Sequence, residues 1–257
     1  MSEHRSDQSR VCLVTGASRG IGLAIATRLI AAGHRVGLAA RSADLLDKAV
    51  AELGENALAI PADLTDAIGI DRAYEVLEQA WGPVEVLVAN AGSGVAAPLV
   101  DTTDEVWQRM LDLNLTAPFR CIRRGLPNML EAGWGRVVVI ASVVAKRGEA
   151  EVAAYTASKH GVLGLVRSAA AEVARSGVTV NAICPGYVDS PMTDETVAAI
   201  VARTRRKPNE ARQLLERRQP IGRLISPDEV AGAVQFCIDN AAVTGQGINV
   251  DGGAVQS

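Results

Sequence analysis

Tyr155 and Lys159 open the chemistry, in the run Tyr155-Thr156-Ala157-Ser158-Lys159. On a helix, side chains four apart share one face. An ammonium beside a phenol favours the phenolate and lowers its pKa from about 10. The pair then serves as proton donor and acceptor near neutral pH. Chance matches to this spacing are frequent, so its setting matters. It follows an apolar run ending in Ile140-Ala141-Ser142. A serine at the C-terminal edge of a parallel strand lies where such sheets bind ligands. The Ser142 hydroxyl can bond a substrate carbonyl, or it can cap a turn.

A second constellation sits near the N-terminus, in Thr15-Gly16-Ala17-Ser18-Arg19-Gly20-Ile21-Gly22. Glycine lets backbone amides approach a ligand where a Cβ would clash. A helix starting there offers unpaired N–H groups and a positive dipole end to a pyrophosphate. The spacing is GxxxGxG rather than GxGxxG. About 20 residues further on, an acidic residue normally holds the ribose 2′-hydroxyl of NAD. Here the segment reads Leu38-Ala39-Ala40-Arg41-Ser42, without a carboxylate. A guanidinium there suits a 2′-phosphate, and Arg19 can face the same group. Two solvated surface arginines are the alternative. Asp63 can accept from an adenine amino group or act as a turn residue before Thr65.

These groups need a frame. Short runs rich in Val, Ile, Leu and Ala predict strands at Val11–Thr15, Arg35–Ala40, Ala57–Ala62, Val84–Ala89, Arg136–Ala141, Thr179–Cys184 and Ile248–Val250. Amphipathic stretches between them predict helices at Ile21–Ala32, Asp44–Leu53 and Asp66–Ala80. Two longer ones follow, Thr103–Glu131, broken near Pro118 and Pro127, and Ala153–Ser176. Near-continuous apolar strands suit a parallel sheet covered on both faces, and the alternating order predicts a single-domain, doubly wound α/β sheet of about seven strands. Residues 190–220 carry no strand and many charges, with two short helical patterns split at Pro208. An excursion of that length is expected to be a substrate lid over the 10–257 domain.

Composition narrows the class. The chain has 257 residues, 48% hydrophobic and 21% charged, with a net charge of −3. It is long and apolar enough to fold without staples. Weak acidity argues against nucleic acid as an obligatory partner. Cys12, Cys121, Cys184 and Cys237 each sit in an apolar run, which suits buried thiols in a reducing compartment. The scattered His4, His34 and His160 have no metal-ligand spacing. Residues 1–9 read as a disordered polar tail without a signal-peptide core, and no apolar stretch is of membrane-spanning length. The expected location is the cytoplasm.

Taken together, and in this order, the motifs resemble the short-chain dehydrogenase/reductase family across residues 10 to 253. The resemblance rests on the glycine loop, Asn90-Ala91-Gly92, Asn114 in Leu113-Asn114-Leu115, Ser142, Tyr155 and Lys159. It extends to Pro185-Gly186 and to Gly245-Gln246 with Asn249-Val250-Asp251-Gly252-Gly253. It implies a Rossmann-type fold. Tyr155 is implied as general acid/base, with Lys159 on the nicotinamide ribose and tuning Tyr155. Ser142 would orient the substrate carbonyl, and Asn114 would hold a relay water. The implied cofactor contacts are Gly16, Ser18, Arg19, Gly20, Ile21 and Gly22 in the first loop, then Arg41, Asp63 and Leu64. Further along come Asn90, Ala91 and Gly92, then Tyr155 and Lys159, and last Pro185, Gly186, Val188 and Ser190. Ala89 and Ser190 depart from the family's usual Asn and Thr.

Within the family, Val178 to Met192 and Gln219-Pro220-Ile221-Gly222-Arg223 look like 3-ketoacyl carrier-protein reductases and aromatic polyketide ketoreductases. The expectation is reduction of a ketone by NADPH, in preference to NADH, on a 3-oxoacyl thioester borne by acyl carrier protein or coenzyme A. The alternatives are an NAD-dependent hydroxyacyl, hydroxybutyrate or other secondary-alcohol dehydrogenase and, remotely, a non-catalytic dinucleotide sensor. The family is usually tetrameric, and the two long helical stretches suit a homotetramer interface. Between Met192 and Gln219 lie seven basic residues against four acids. With Arg120, Arg123 and Arg124 they form either a surface that steers an anionic carrier or an ordinary solvated face.

Overall fold

Strand β1 (Val11–Thr15) sends Cys12 and Val14 into one hydrophobic core and Leu13 into another. That alternation follows from the two-residue period of a strand whose faces are both covered. The computed structural model describes residues 9–256, so residues 1–8 of the expected tail lie outside the described residues. The remaining strands are β2 (Arg35–Ala40), β3 (Ala57–Pro61), β4 (Val86–Ala89), β5 (Gly135–Ile140), β6 (Val178–Pro185) and β7 (Gly247–Val250). All seven lie where the apolar runs place them, within two residues at either end. They form one parallel sheet in the order β3-β2-β1-β4-β5-β6-β7. The order reverses between β1 and β4, and ligands of such sheets bind at that crevice.

Helices α1 (Gly20–Ala31) and α2 (Ala43–Leu53) cover one face, with Ile25, Leu29 and Leu46 in its core. The other face carries α3 (Ala67–Trp81) and, further on, α5 (Ala117–Ala132) and α6 (Ala153–Val173). Between α3 and α5 runs α4 (Asp104–Leu111).

The stretch 103–131 breaks differently from expectation. The interruption is a π-helical turn, Asp112–Thr116, between α4 and α5. Pro118 follows at the start of α5, where a missing N–H is tolerated, but Asn114, four residues back, loses a carbonyl partner. Pro127 lies within α5 without ending it.

The 190–220 excursion holds α7 (Pro191–Thr204) and α8 (Pro208–Arg217), split as expected at Pro208. A ninth helix, α9 (Pro227–Asp239), packs Val230, Val234 and Cys237 beside α1. Apolar periodicity had not singled it out, yet its start is explicit. Ser226 accepts from the Glu229 amide and the Glu229 carboxylate accepts from the Ser226 amide, a reciprocal cap with Pro227 at the first position.

Candidate active site

The glycine turn after β1 is built for close approach. Gly16 and Gly20 have φ of 66° and 59°, a region that favours glycine. A Cβ on Gly22 would stand 2.3 Å from the Gly16 carbonyl oxygen. Asn90 locks this turn to the end of β4. Its Nδ2 donates to the carbonyls of Thr15 (2.8 Å) and Gly16 (3.1 Å). Thr15 Oγ1 in turn accepts from the amides of Asn90 and Ala91. Asn90 thus ties two loops together through its side chain. Thr15, the first residue of the glycine motif, shares the task.

Among the described residues no side chain caps the start of α1, and no acidic residue stands in its first turn. Its leading N–H groups are left for a ligand. The uncapped helix start and the Cβ-free cradle of Gly16, Gly20 and Gly22 fit the pyrophosphate of a dinucleotide. Ser18, Arg19 and Ile21 line the same turn. Arg41 is exposed at the end of β2 and close enough to Asp63 to lower the carboxyl's pKa. The larger cause is Thr65, whose amide and hydroxyl both donate to Asp63 Oδ1, at 2.9 and 2.7 Å. Asp63 is therefore a turn residue in its Oδ1, as the alternative had it. Leu64 is buried in the core beneath. Arg19 reaches across to Glu195 on α7, at 3.3 Å with both side chains mostly exposed.

The catalytic candidates converge at the C-terminal ends of β4 and β5. Gly92 lies between two of them: a Cβ there would meet Asn114 Oδ1 at 2.9 Å and Lys159 Nζ at 3.5 Å. The Asn114 side chain is fully buried and occupied. Oδ1 accepts from the Ser93 amide (3.1 Å) and Nδ2 donates to the Ser93 carbonyl (3.0 Å). Both side-chain groups are thereby engaged. Ser142 accepts from the Val144 amide at 3.3 Å and is near enough to Tyr155 to lower the phenol's pKa in part. The first contact is the turn-capping one.

Lys159 Nζ donates to the Ile140 carbonyl at 2.8 Å and stands 5.7 Å from the centre of the Tyr155 ring. Burial brings the lysine down to about 8. Burial also pushes the Tyr155 phenol above its ordinary range, and Ser142 pulls it back in part. Lys159 is not among the groups that shift the Tyr155 phenol. Desolvation is the largest cause for both groups, and it disfavours the charged form of each.

Beyond β6, Pro185 pairs with Val250 and Gly186 donates to the Val250 carbonyl. Val188 is buried and bridges to Ile225. Ser190 precedes α7, and its carbonyl accepts from the amides of Thr193 and Asp194. The fully buried Gln219 grips Tyr187. Its Oε1 accepts from the Tyr187 amide (2.8 Å), and its Nε2 donates to the carbonyls of Tyr187 (3.2 Å) and Arg223 (2.6 Å). No spacing signal marked Gln219 as more than part of a family-like string.

The basic residues are less free than their number suggests. Arg203 makes a two-pronged bond to Glu151, and Arg212 pairs with Asp189 and Glu216. Arg218 pairs with Glu149. On α5, Arg124 holds Glu78 with two bonds, Arg120 donates to the Thr65 carbonyl, and Arg123 lies over the Phe119 ring. Arg205 and Arg206 remain exposed at the α7–α8 turn.

A parallel sheet with a glycine cradle at its switch point and a Ser-Tyr-Lys group beside it defines a nucleotide-dependent oxidoreductase. The chain belongs to the short chain dehydrogenase family, whose model matches residues 10–200. It is 40% identical over 255 residues to a putative ketoacyl reductase of Streptomyces coelicolor, covering 96% of this chain and 98% of that one. It is 39% identical over 247 residues to the 3-oxoacyl-[acyl-carrier-protein] reductase MabA of Mycobacterium tuberculosis, covering 95% and 92%. An actinorhodin polyketide ketoreductase variant, solved with NADPH, superimposes with a TM-score of 0.92 at 40% identity, covering 96% of this chain and 97% of that one.

Proposed function

We propose that the chain reduces a ketone to a secondary alcohol, on a 3-oxoacyl thioester or polyketide, with NADPH as the preferred cofactor. The observation that carries this is the convergence of Ser142, Tyr155 and Lys159 beside a cradle that admits no Cβ at Gly22. When bound, NADPH would supply the hydride for the carbonyl carbon. Tyr155 gives its phenolic proton to the carbonyl oxygen as charge develops there. Ser142 orients that oxygen. Lys159 holds the nicotinamide ribose and, protonated, stabilises the phenolate left behind. The backbone carbonyl of Asn114 holds the water that returns the proton. Arg41 at the end of β2 favours the 2′-phosphate, with Arg19 available once it leaves Glu195.

The segment 190–220 is the lid, and Arg205 and Arg206 are its outward charges toward an acidic carrier or coenzyme A. The long face of α5 and α6, with Trp107 of α4 and Phe119 exposed beside it, suits pairing into a homotetramer. The buried free thiols suit a reducing, cytoplasmic setting. The test is a panel of ketones and acyl thioesters followed by NADPH absorbance. Turnover of 3-oxoacyl thioesters with NADPH over NADH is the expected result, and turnover of secondary alcohols with NAD alone overturns it.

A further inference from the structure

Glu149 lies in the loop that joins Ser142 to Tyr155, and its side chain is only 19% exposed. Its Oε1 accepts from the Tyr187 hydroxyl at 3.0 Å and from the Arg218 guanidinium. Arg218 Nη1 also donates to the Tyr187 hydroxyl at 3.0 Å, which closes a triangle of three groups. Arg147 stands 3.6 Å from the other carboxylate oxygen. Each corner comes from a different segment: the catalytic loop, the turn after β6 and the end of α8.

We propose that Glu149 is a positioning residue for substrate, holding the Tyr187 ring as a fixed wall beside Tyr155 and fastening the end of α8 to it. Gln219 fixes the backbone of Tyr187, and Glu149 fixes its far end. A ring held at both ends cannot swing, so the wall has a set position. Strand β6 pairs with β5 with Ile140 opposite Ile183, so the turn that carries Tyr187 leaves the sheet on the same edge as Ser142. A partly exposed ion pair contributes little to stability, whereas a two-donor carboxylate sets geometry. Among the described residues, the polar partners of Glu149 and of the Tyr187 hydroxyl include neither the glycine turn nor Lys159, so their loss falls on substrate binding. This inference rests on the ketoreductase reading of the site.

The test compares Glu149→Gln, Glu149→Ala, Tyr187→Phe and the Glu149→Ala/Tyr187→Phe double variant, with acetoacetyl-CoA as the substrate probe. The expected result is a KM for the thioester raised about tenfold in Glu149→Ala, or about 1.4 kcal/mol. The kcat stays within about twofold, and the KM for NADPH is unchanged. Glu149→Gln, which keeps an acceptor for Tyr187, falls between wild type and Glu149→Ala. The double variant is no worse than Glu149→Ala, because both substitutions open the same triangle. Amide exchange over residues 214–219 reads the fastening without substrate and is faster in Glu149→Ala. Unchanged exchange there, an unchanged KM, a kcat lowered well beyond twofold, or additive single effects each overturn the proposal. A wild type that reduces no ketone sinks the ketoreductase reading instead, and the exchange measurement still decides whether Glu149 holds α8.

Discussion

Gln219 and Tyr187 are joined as two strands would be, with the Gln219 side-chain amide taking the place of a backbone. It both accepts from the Tyr187 amide and donates to the Tyr187 carbonyl. The neighbouring Gly186 is glycine because a Cβ there would lie 2.1 Å from Gln219 Oε1. Gln219→Leu keeps the volume and removes all three hydrogen bonds. Each orphaned buried group costs about 1–3 kcal/mol. The expected outcome is a lowered Tm in thermal unfolding, with Gly186→Ala lowering it too, and a wild-type Tm in either variant contradicts the clamp.

Tyr155→Phe keeps the ring in place and removes the transferable proton. Loss of a general acid costs about 10²–10⁴-fold in rate. Steady-state turnover should fall by at least that factor while NADPH affinity, read by fluorescence titration, stays near wild type. Near-wild-type turnover would show that another group protonates the product.

Arg41→Asp replaces the proposed phosphate partner with a ribose acceptor. A charge-assisted bond of about 1.5–3 kcal/mol is lost, and the new carboxylate repels the 2′-phosphate. The ratio of kcat/KM for NADPH over NADH should drop at least tenfold. A wild type that already prefers NADH would defeat the assignment.

Lys159 carries a stability cost that its function explains. Its pKa is about 8 in the folded chain, against 10.5 for an ordinary lysine. Between those pH values the unfolded chain holds more protons, so stability rises with pH across that window. Below about 8 the cost of burying the charge is fully present. Lys159→Met should therefore raise Tm at pH 7 while abolishing turnover, and it should flatten the rise in Tm between pH 8 and 10.5. Differential scanning fluorimetry across that range decides it, and an unchanged pH profile counts against the buried charge.

Reversal of Arg205 and Arg206 to Glu tests the carrier surface. The KM for a thioester should rise several-fold, while that for a small neutral ketone barely moves. Added salt should weaken wild-type activity on the thioester more steeply than on the ketone. Equal responses would make the turn a solubilising surface only.

The seven strands were legible because each is buried on both faces, and such strands appear in sequence as unbroken apolar runs. The convergence of Ser142, Tyr155 and Lys159 was legible because two of them share a helix and the third ends a strand. Helix α9 escaped because its cap, Ser226 with Glu229, is a polar signal that periodicity does not register. The clamp of Glu149, Tyr187 and Gln219 escaped for another reason. Their partners are remote in sequence, so spacing says nothing of them. For the arginines of residues 190–220 the sequence left two readings open: composition counts charges, and only the folded chain shows that Arg203, Arg212 and Arg218 are already paired.

The four buried thiols divide the molecule in a way that its chemistry does not. Cys12 lies in β1, Cys121 in α5, Cys184 in β6 and Cys237 in α9. Burial raises the pKa of each, so each is inert toward a thiol reagent while its element is closed. Labelling any one of them requires that element to open. The chain thus carries four internal clocks, spread over both halves of the sheet and one helix on each face. The order in which they are modified gives the sequence in which the layers come apart.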